Sequence, residues 1–411
     1  PTLTGTALAT LVLIAPPLFF LGQVSPALIR GLADTRRTGV GGTAGKVYAI
    51  STVGSLAGTL GAVWLFLYFP MALGFVATGL LLALPLLRLN PAIGAVPALV
   101  TAGLLIPNLS EDTSGQTAFN SDGQEARLVA KQTSAYGELR VIELDDRYRY
   151  LVVNGTDQGG ISTADGTSAY DFDDGLLGLG RLFVYQPRDA LVIGLGAGLL
   201  SRKLEAQGVR VDTVELDPAV VQMARRHFGF DGTATVADGR RYLQQSRANW
   251  DLILVDAFLG GNPPWQLFTR EAFALYRSHL RQGGAVVLNL IGSHLDPAQR
   301  PALAAVAATA EAEFPHVEVY PDPWVGDDYP TRNLFIAAAR HPRLRPKALG
   351  RPGSANTLDQ ALARSRALAE ASAGGRILSD DAAPLGPLTR RTSEILRSRT
   401  LEYLPLDVLF F

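Results

Sequence analysis

The chain has 411 residues, enough for about two to three domains at roughly 150 residues each, and its 37 Lys and Arg against 38 Asp and Glu leave a formal net charge of -1. That balance excludes the basic excess usual in nucleic-acid binders, and 47% hydrophobic residues exclude a disordered chain. Zero cysteines exclude disulfide scaffolds, thiolate zinc sites and cysteine nucleophiles, and five histidines leave little room for a multi-histidine metal site.

The apolar residues crowd into the first hundred positions. Residues 7–29, 47–69, 71–87 and 91–107 are uncharged runs. A bilayer-crossing helix needs about 20 apolar residues, with about 17 as the lower edge. Residues 1–109 are therefore expected to form three or four transmembrane spans, N-terminally incomplete because the chain starts at Pro1 without an initiator Met. Gly54 and Gly58 make a small-xxx-small face for helix packing, and Pro16 and Pro17 kink the first run. The loop at 30–46 holds Arg30, Arg36, Arg37 and Lys46 against one Asp34, which places it on the cytoplasmic side.

Residues 110–132 are polar and read as a linker. Residues 133–174 are expected to form a small β-hairpin domain, with strands at 139–144 and 148–153 around a turn at Asp145, Asp146 and Arg147. From about 175 to 345 short apolar runs alternate with helical segments. Strands are expected at 190–193, 211–215, 234–236, 250–255 and 284–290, with helices at 199–206, 218–228 and 271–281. That alternation implies an α/β, Rossmann-like, mostly parallel sheet. Residues 346–411 read as a helical extension with an apolar tail, 401–411, suited to docking on a membrane or partner.

In such sheets ligands bind beyond the carboxyl ends of the strands. The sequence places its candidates there. Gly194, Gly196 and Gly198 follow the first strand, where glycines permit a tight turn and close approach to a ligand. Leu199 stands where a dinucleotide fingerprint needs its third glycine, which weighs against NAD. Glu215 ends the second strand in Val214-Glu215-Leu216-Asp217-Pro218, placed to accept hydrogen bonds from ribose hydroxyls. Asp238 and Gly239 follow the third strand and Asp256 the fourth. Each acid alone reads equally as a turn or helix cap; the glycine turn and three acids, four motifs in order along one sheet edge, point to an adenosine site.

These motifs resemble the spermidine synthase family, whose catalytic domain has the fold of S-adenosylmethionine-dependent methyltransferases. The resemblance runs from about 136 to 388. It rests on Ser134-Ala135-Tyr136-Gly137, on Asn154-Gly155 with Gln158, on the glycine turn, and on the acids at 215, 217, 238 and 256. Leu267 to Phe273 and Leu378 to Leu385 add to it, and the apolar N-terminal part is similar to helices fused ahead of such domains in bacterial membrane proteins. The resemblance implies S-adenosylmethionine or its decarboxylated form as donor substrate, a small amine as acceptor, and no metal. It implies that Glu215 holds the ribose, Asp238 the adenine amino group and Gln158 the nucleoside from the hairpin side, with Asp217 and Gly239 beside them. Asp256 would orient the amine and take its proton, and Tyr170 would line the amine channel.

The chain also departs from the family pattern. Ala197 stands where the family's glycine loop usually has an aspartate, and Leu259 where a second catalytic-loop aspartate is common. Gly137 replaces a Gln, and Asp171-Phe172 replaces His-Glu. The nucleoside half is kept and the amine half depleted, which leaves three readings: an aminopropyltransferase with altered acceptor, an S-adenosylmethionine-dependent methyltransferase, or a non-catalytic nucleoside-binding domain regulating a membrane partner. The expected setting is a multi-pass inner-membrane protein with its catalytic domain in the cytoplasm, in contact with the lipid bilayer, binding no nucleic acid, and able to pair as a homo-dimer or with a membrane-protein partner.

Overall fold

Short, β-branched runs that bury both faces make the centre of the fold, and the helices between them cover it. The computed structural model describes residues 40–68 and 115–405, apart from 121, 171, 260, 323–330 and 345–373, together with isolated positions before residue 31. The chain divides into two compact units, Pro1–Glu111 and Asp112–Phe411.

In the first unit the described structure is essentially one helix, α1 (Val40–Tyr68). It covers most of the second apolar run, and here the membrane expectation is overturned: among the described residues no helix is long and apolar enough to cross a membrane. α1 has 29 residues. Lys46, Ser51, Thr52, Ser55, Thr59 and the glycines at 54, 58 and 61 dilute its apolar side chains. Thr52 and Thr59 donate their hydroxyls to carbonyls one turn back, at 2.9 and 2.8 Å. The transmembrane part of the fold class, the multi-pass inner-membrane location and the lipid bilayer as partner are corrected accordingly. The remaining runs, apart from isolated positions, and tail residues 406–411 lie outside the described residues.

The second unit begins with an antiparallel five-stranded sheet, β1 (Thr117–Phe119), β2 (Glu125–Thr133), β3 (Glu138–Leu144), β4 (Tyr148–Val153) and β5 (Thr156–Ser162), paired in chain order. The β3–β4 hairpin turns at Asp145 and Asp146, both with φ of 52°. β2 occupies a stretch expected as linker. Its Ala126 and Leu128 are buried while Arg127 points outward, the two-residue alternation of a half-buried strand.

After α2 (Phe172–Phe183) the second sheet is laid down: β6 (Asp189–Ile193), α3 (Leu199–Glu205), β7 (Arg210–Glu215), α4 (Pro218–His227), β8 (Ala234–Val236), α5 (Gly239–Gln245), β9 (Trp250–Val255), α6 (Arg270–His279) and β10 (Leu280–Gly292). Then come α7 (Arg300–Glu311), β11 (His316–Pro321), β12 (Arg332–Ala339) and α8 (Leu385–Tyr403). The seven strands lie in the order β11-β12-β10-β9-β6-β7-β8. The five from β10 to β8 are parallel, and β12 pairs antiparallel to both β10 and β11. The chain runs outward from β6 through β7 to β8, then returns to β9 on the other side. That reversal opens a crevice between the ends of β6 and β9, the switch point at which doubly wound sheets bind ligands. Leu191, Ile193, Ile253 and Val255 bury one face of the sheet, and Ala190, Val192, Leu252 and Leu254 the other. Burial on both faces holds these strand ends rigid.

Candidate active site

The turn after β6 is made by close backbone packing. Gly194 has φ of 98°, and a methyl group there would stand 2.0 Å from the Asp256 carbonyl oxygen. The Asp256 amide in turn donates to the Ile193 carbonyl at 2.9 Å. The ends of β6 and β9 are therefore pressed together, and the Gly194 turn and Asp256 side chain meet in one cavity of about 470 Å³.

Sequence-expected residues meet there to a large extent. Gln158, Tyr170, Gly194, Gly196, Glu215, Asp217, Asp238, Gly239 and Asp256 all line this cavity. Gly198 does not; it precedes α3, and a side chain there would strike the Phe230 ring at 2.9 Å, so its place is in packing. Trp265 is 45% exposed and does not line the cavity, although Pro264 and Gln266 on either side do.

The acids are unequal. Glu215 accepts from the Leu195 amide at 2.9 Å and from the Asp217 amide at 2.9 Å, which ties the glycine turn to the end of β7. Burial pushes its carboxyl up and these amides pull it down. Asp217 caps α4, accepting from the Ala219 amide at 2.8 Å, and takes the Ser134 hydroxyl at 2.5 Å. Its carboxylate is committed to holding the small sheet against α4. Asp238 caps α5 through the Arg241 amide at 2.8 Å. The cap reading and the site reading of these two residues are thus compatible in position, because caps at strand ends line the crevice.

Asp256 is the acid whose environment is most unusual. Burial pushes its carboxyl up to about 6, against the pull of a hydrogen bond from Asn289 and with a further push from the charge of Asp173. Asn289 donates to Asp256 Oδ1 at 2.9 Å and to Asn333 Oδ1 at 3.0 Å, so β10 and β12 together fix the carboxylate. A carboxyl titrating near 6 is ionised at neutral pH and still able to take a proton.

Several cavity residues were not anticipated. Asp157, Asp173, Asn289, Arg399 and Tyr403 all line it. Asp173 is buried, accepts from the Ser168 hydroxyl at 2.7 Å, and lies 3.7 Å from Lys203. Asp157 accepts hydroxyl hydrogen bonds from Tyr170 and from Tyr403, the latter at 3.0 Å. Asp157 stands beside Gln158 in the very motif quoted above, so a strand reading of 156–162 would have flagged it. Tyr403 lies 246 residues further along the chain, and no local signal announces it. Leu259 and Ala197 also line the cavity, Leu259 being 44% exposed. Among the described residues no group of three or more His, Asp or Glu is arranged to hold a metal ion.

A parallel crevice with a glycine turn, an acid at the end of the neighbouring strand and a raised carboxyl opposite defines the class: a doubly wound α/β domain with a pocket at its switch point. Comparison with known proteins narrows it. Residues 173–296 match the family model of the Spermine/spermidine synthase domain. A probable polyamine aminopropyl transferase of Bifidobacterium longum is 29% identical over 216 residues, covering 48% of this chain and 48% of that protein. A polyamine aminopropyltransferase 2 of Pseudomonas aeruginosa is 34% identical over 149 residues, 33% of this chain and 42% of that one. An N-terminal histidine N-methyltransferase of Emericella nidulans is 29% identical over 162 residues, 37% of this chain and 28% of that one. The chain thus spans about half or less of the length of these relatives, and across the matched segment it is similar to the polyamine aminopropyltransferases.

Proposed function

We propose that the chain is a transferase that moves an aminopropyl group from decarboxylated S-adenosylmethionine to an amine. The observation that carries this reading is Asp256: a carboxylate raised to about 6, fixed by Asn289 and set across the cavity's crevice from the glycine turn. The names of the related aminopropyltransferases support it. In the reaction the lone pair of a neutral amine nitrogen attacks the aminopropyl carbon bonded to the sulfonium. The carbon–sulfur bond breaks, its electron pair stays on sulfur, and a neutral thioether nucleoside leaves. The new secondary ammonium carries one proton more than the product amine needs, and Asp256 is placed to take it.

Glu215 holds the ribose hydroxyls in this reading, with Asp238, Gly239 and Gln158 around the base and Gly194 and Gly196 beneath the nucleoside. Asp217 shapes that wall through its cap on α4. Tyr170 lines the amine side. Positioning supplies much of the rate, since a developing neutral leaving group asks little of the protein beyond alignment.

A second reading is favoured by one residue. Ala197 brings no carboxylate to the glycine turn, so intact S-adenosylmethionine meets no repulsion there, which suits a methyltransferase; the relationship to a histidine N-methyltransferase is in keeping with this. Incubating the purified chain with decarboxylated donor and a panel of di- and polyamines decides between them. Release of methylthioadenosine is expected. Its absence with every amine, together with methyl transfer from intact S-adenosylmethionine, would replace the first reading by the second.

A further inference from the structure

Asp157 has no part in the proposed reaction, yet its carboxylate gathers three donors. Its Oδ1 accepts from the Gly159 amide at 2.8 Å, and its Oδ2 accepts from the Tyr403 hydroxyl at 3.0 Å and from the Tyr170 hydroxyl. These donors come from β5, from the segment before α2 and from the last turn of α8. The Tyr150 ring stands 6.1 Å from that of Tyr170 and 5.7 Å from that of Tyr403, so three aromatic rings gather around one carboxylate.

A bulge places the group. Val152 pairs with Asp157 but Tyr150 with Gly160, so two residues of β5 oppose one of β4. Bulges of this kind re-aim side chains. Asp157 joins the Tyr150 face, while the Cβ position of Gly159 comes within 3.4 Å of the Ala197 Cβ on the glycine turn. The Asp157 carboxylate is therefore one hydrogen bond away from the residue that touches Ala197.

The rest of the lining points to the charge of what binds. Asp173 and Asp256 bring two more carboxylates. Asn289 Oδ1 and Thr331 Oγ1 are buried acceptors without a partner among the described residues, and both residues line the cavity. Arg399 also lines it and its charge acts on Asp157, but its guanidinium donates to the Thr331 carbonyl at 3.5 Å. An excess of lone pairs, aromatic faces and carboxylates in a partly closed space is the chemistry that receives a primary ammonium.

We propose that Asp157, with Tyr170 and Tyr403, forms a subsite for a primary ammonium group of a substrate. The inference rests on the aminopropyl-transfer reading, in which both the donor tail and the amine acceptor carry such a group. Nearness to the glycine turn assigns it to the donor tail. A tail that kept its carboxylate would bring that charge beside Asp157, so the subsite selects the decarboxylated donor over S-adenosylmethionine without any acid at position 197.

The test compares the full chain with Asp157→Asn and Tyr403→Phe. Affinities are measured for decarboxylated S-adenosylmethionine, S-adenosylmethionine and methylthioadenosine, which lacks the aminopropyl arm, along with KM for a diamine. Asp157→Asn is expected to weaken the decarboxylated donor about 10- to 100-fold, the range of one charged hydrogen bond. Methylthioadenosine affinity should stay unchanged, which also reports a folded site. Tyr403→Phe should weaken the same ligand by a smaller factor. Unchanged donor affinity with a diamine KM raised by that factor would place the acceptor's ammonium in the subsite and still support it. Neither quantity moving in a wild type that turns over would overturn the subsite. If Asp157→Asn loses methylthioadenosine as well, Tyr403→Phe decides by the same criteria. If the wild type binds the decarboxylated donor through Asp157 but releases no methylthioadenosine with any amine, the subsite stands and the transfer reading fails.

Discussion

At the scale of single residues the proposed chemistry turns on Asp256 and what surrounds it. Its carboxyl sits at about 6 because burial outweighs the hydrogen bond from Asn289. As a base it works only when ionised, so kcat/KM should fall as pH drops through about 6. Asn289→Ala removes the hydrogen bond that favours the charged form, and the acidic limb should move to higher pH, by about one unit for roughly 1.4 kcal/mol of lost stabilisation. A limb that stays in place would show that Asn289 does not position this carboxylate. Asp256→Asn should cut turnover by about 10²- to 10⁴-fold. Stability should move the opposite way. The folded value lies above that of an unfolded aspartate, so the group's favourable contribution is complete below pH 4 and lost as pH rises through about 6. Above pH 6 the asparagine variant is therefore expected to be more stable than wild type, by up to about 3 kcal/mol. Thermal melts at pH 4 and pH 8 check this, and an equal difference at both would refute the assignment. Asp256 and Glu215 were legible because each ends an apolar strand. Asp157 was not, because its role depends on Tyr403 at the far end of the chain.

At the scale of elements, the β6–α3 turn can be separated from glycine turns in general. Gly194 and Gly208 both have positive φ, 98° and 81°. A methyl at Gly208 meets nothing within 4 Å, whereas at Gly194 it would stand 2.0 Å from the Asp256 carbonyl oxygen. Gly208→Ala should then cost about 1–2 kcal/mol, the strain of a left-handed residue. Gly194→Ala should cost more and lower turnover too, because the backbone that yields is the one carrying Asp256. Denaturant midpoints of the two variants make the comparison, and equal costs would mean the close approach is relieved without effect. β6 and β9 were readable as short apolar runs, and β7, in which Val211 and Val214 stand among polar residues, by its place in the strand–helix alternation. β2 was hidden by its polar alternate face, and β10 began earlier than expected because Leu280, the one buried residue of its first four, starts the pairing with β9. α1 misled in the opposite sense. Its residues lack charge over many positions and include serines, threonines and glycines, and among the described residues no helix is long and apolar enough to cross a membrane.

At the scale of the whole second unit, the cavity exists only when three parts close together. α8 joins them: Thr392 donates to the Gln299 Oε1 just ahead of α7 at 2.9 Å, Ser393 to Asn262 Oδ1 after β9 at 2.6 Å, and Arg397 to the Asn154 carbonyl beside β4 at 3.4 Å. Asn120 near β1 then donates to the Tyr403 carbonyl at 3.0 Å. Contacts spanning hundreds of residues leave no trace in a local pattern, which is why the strand-end acids could be found in sequence and the wall contributed by α8 could not. The same closure makes a thermodynamic prediction. A ligand bound only when both sheets and α8 are in place stabilises all three, by RT ln(1 + [L]/Kd), or about 2.7 kcal/mol at a hundredfold excess over Kd. For a unit of this size that corresponds to roughly 4 °C in melting temperature. Calorimetry of the chain with saturating decarboxylated S-adenosylmethionine should therefore shift the transition of the second unit as one peak. Methylthioadenosine, which reaches the nucleoside half but not Asp157, should shift it less at the same concentration. If the peak instead splits and only one part moves, the five-stranded sheet and α8 do not close on the ligand, and the cavity is the property of the seven-stranded sheet alone.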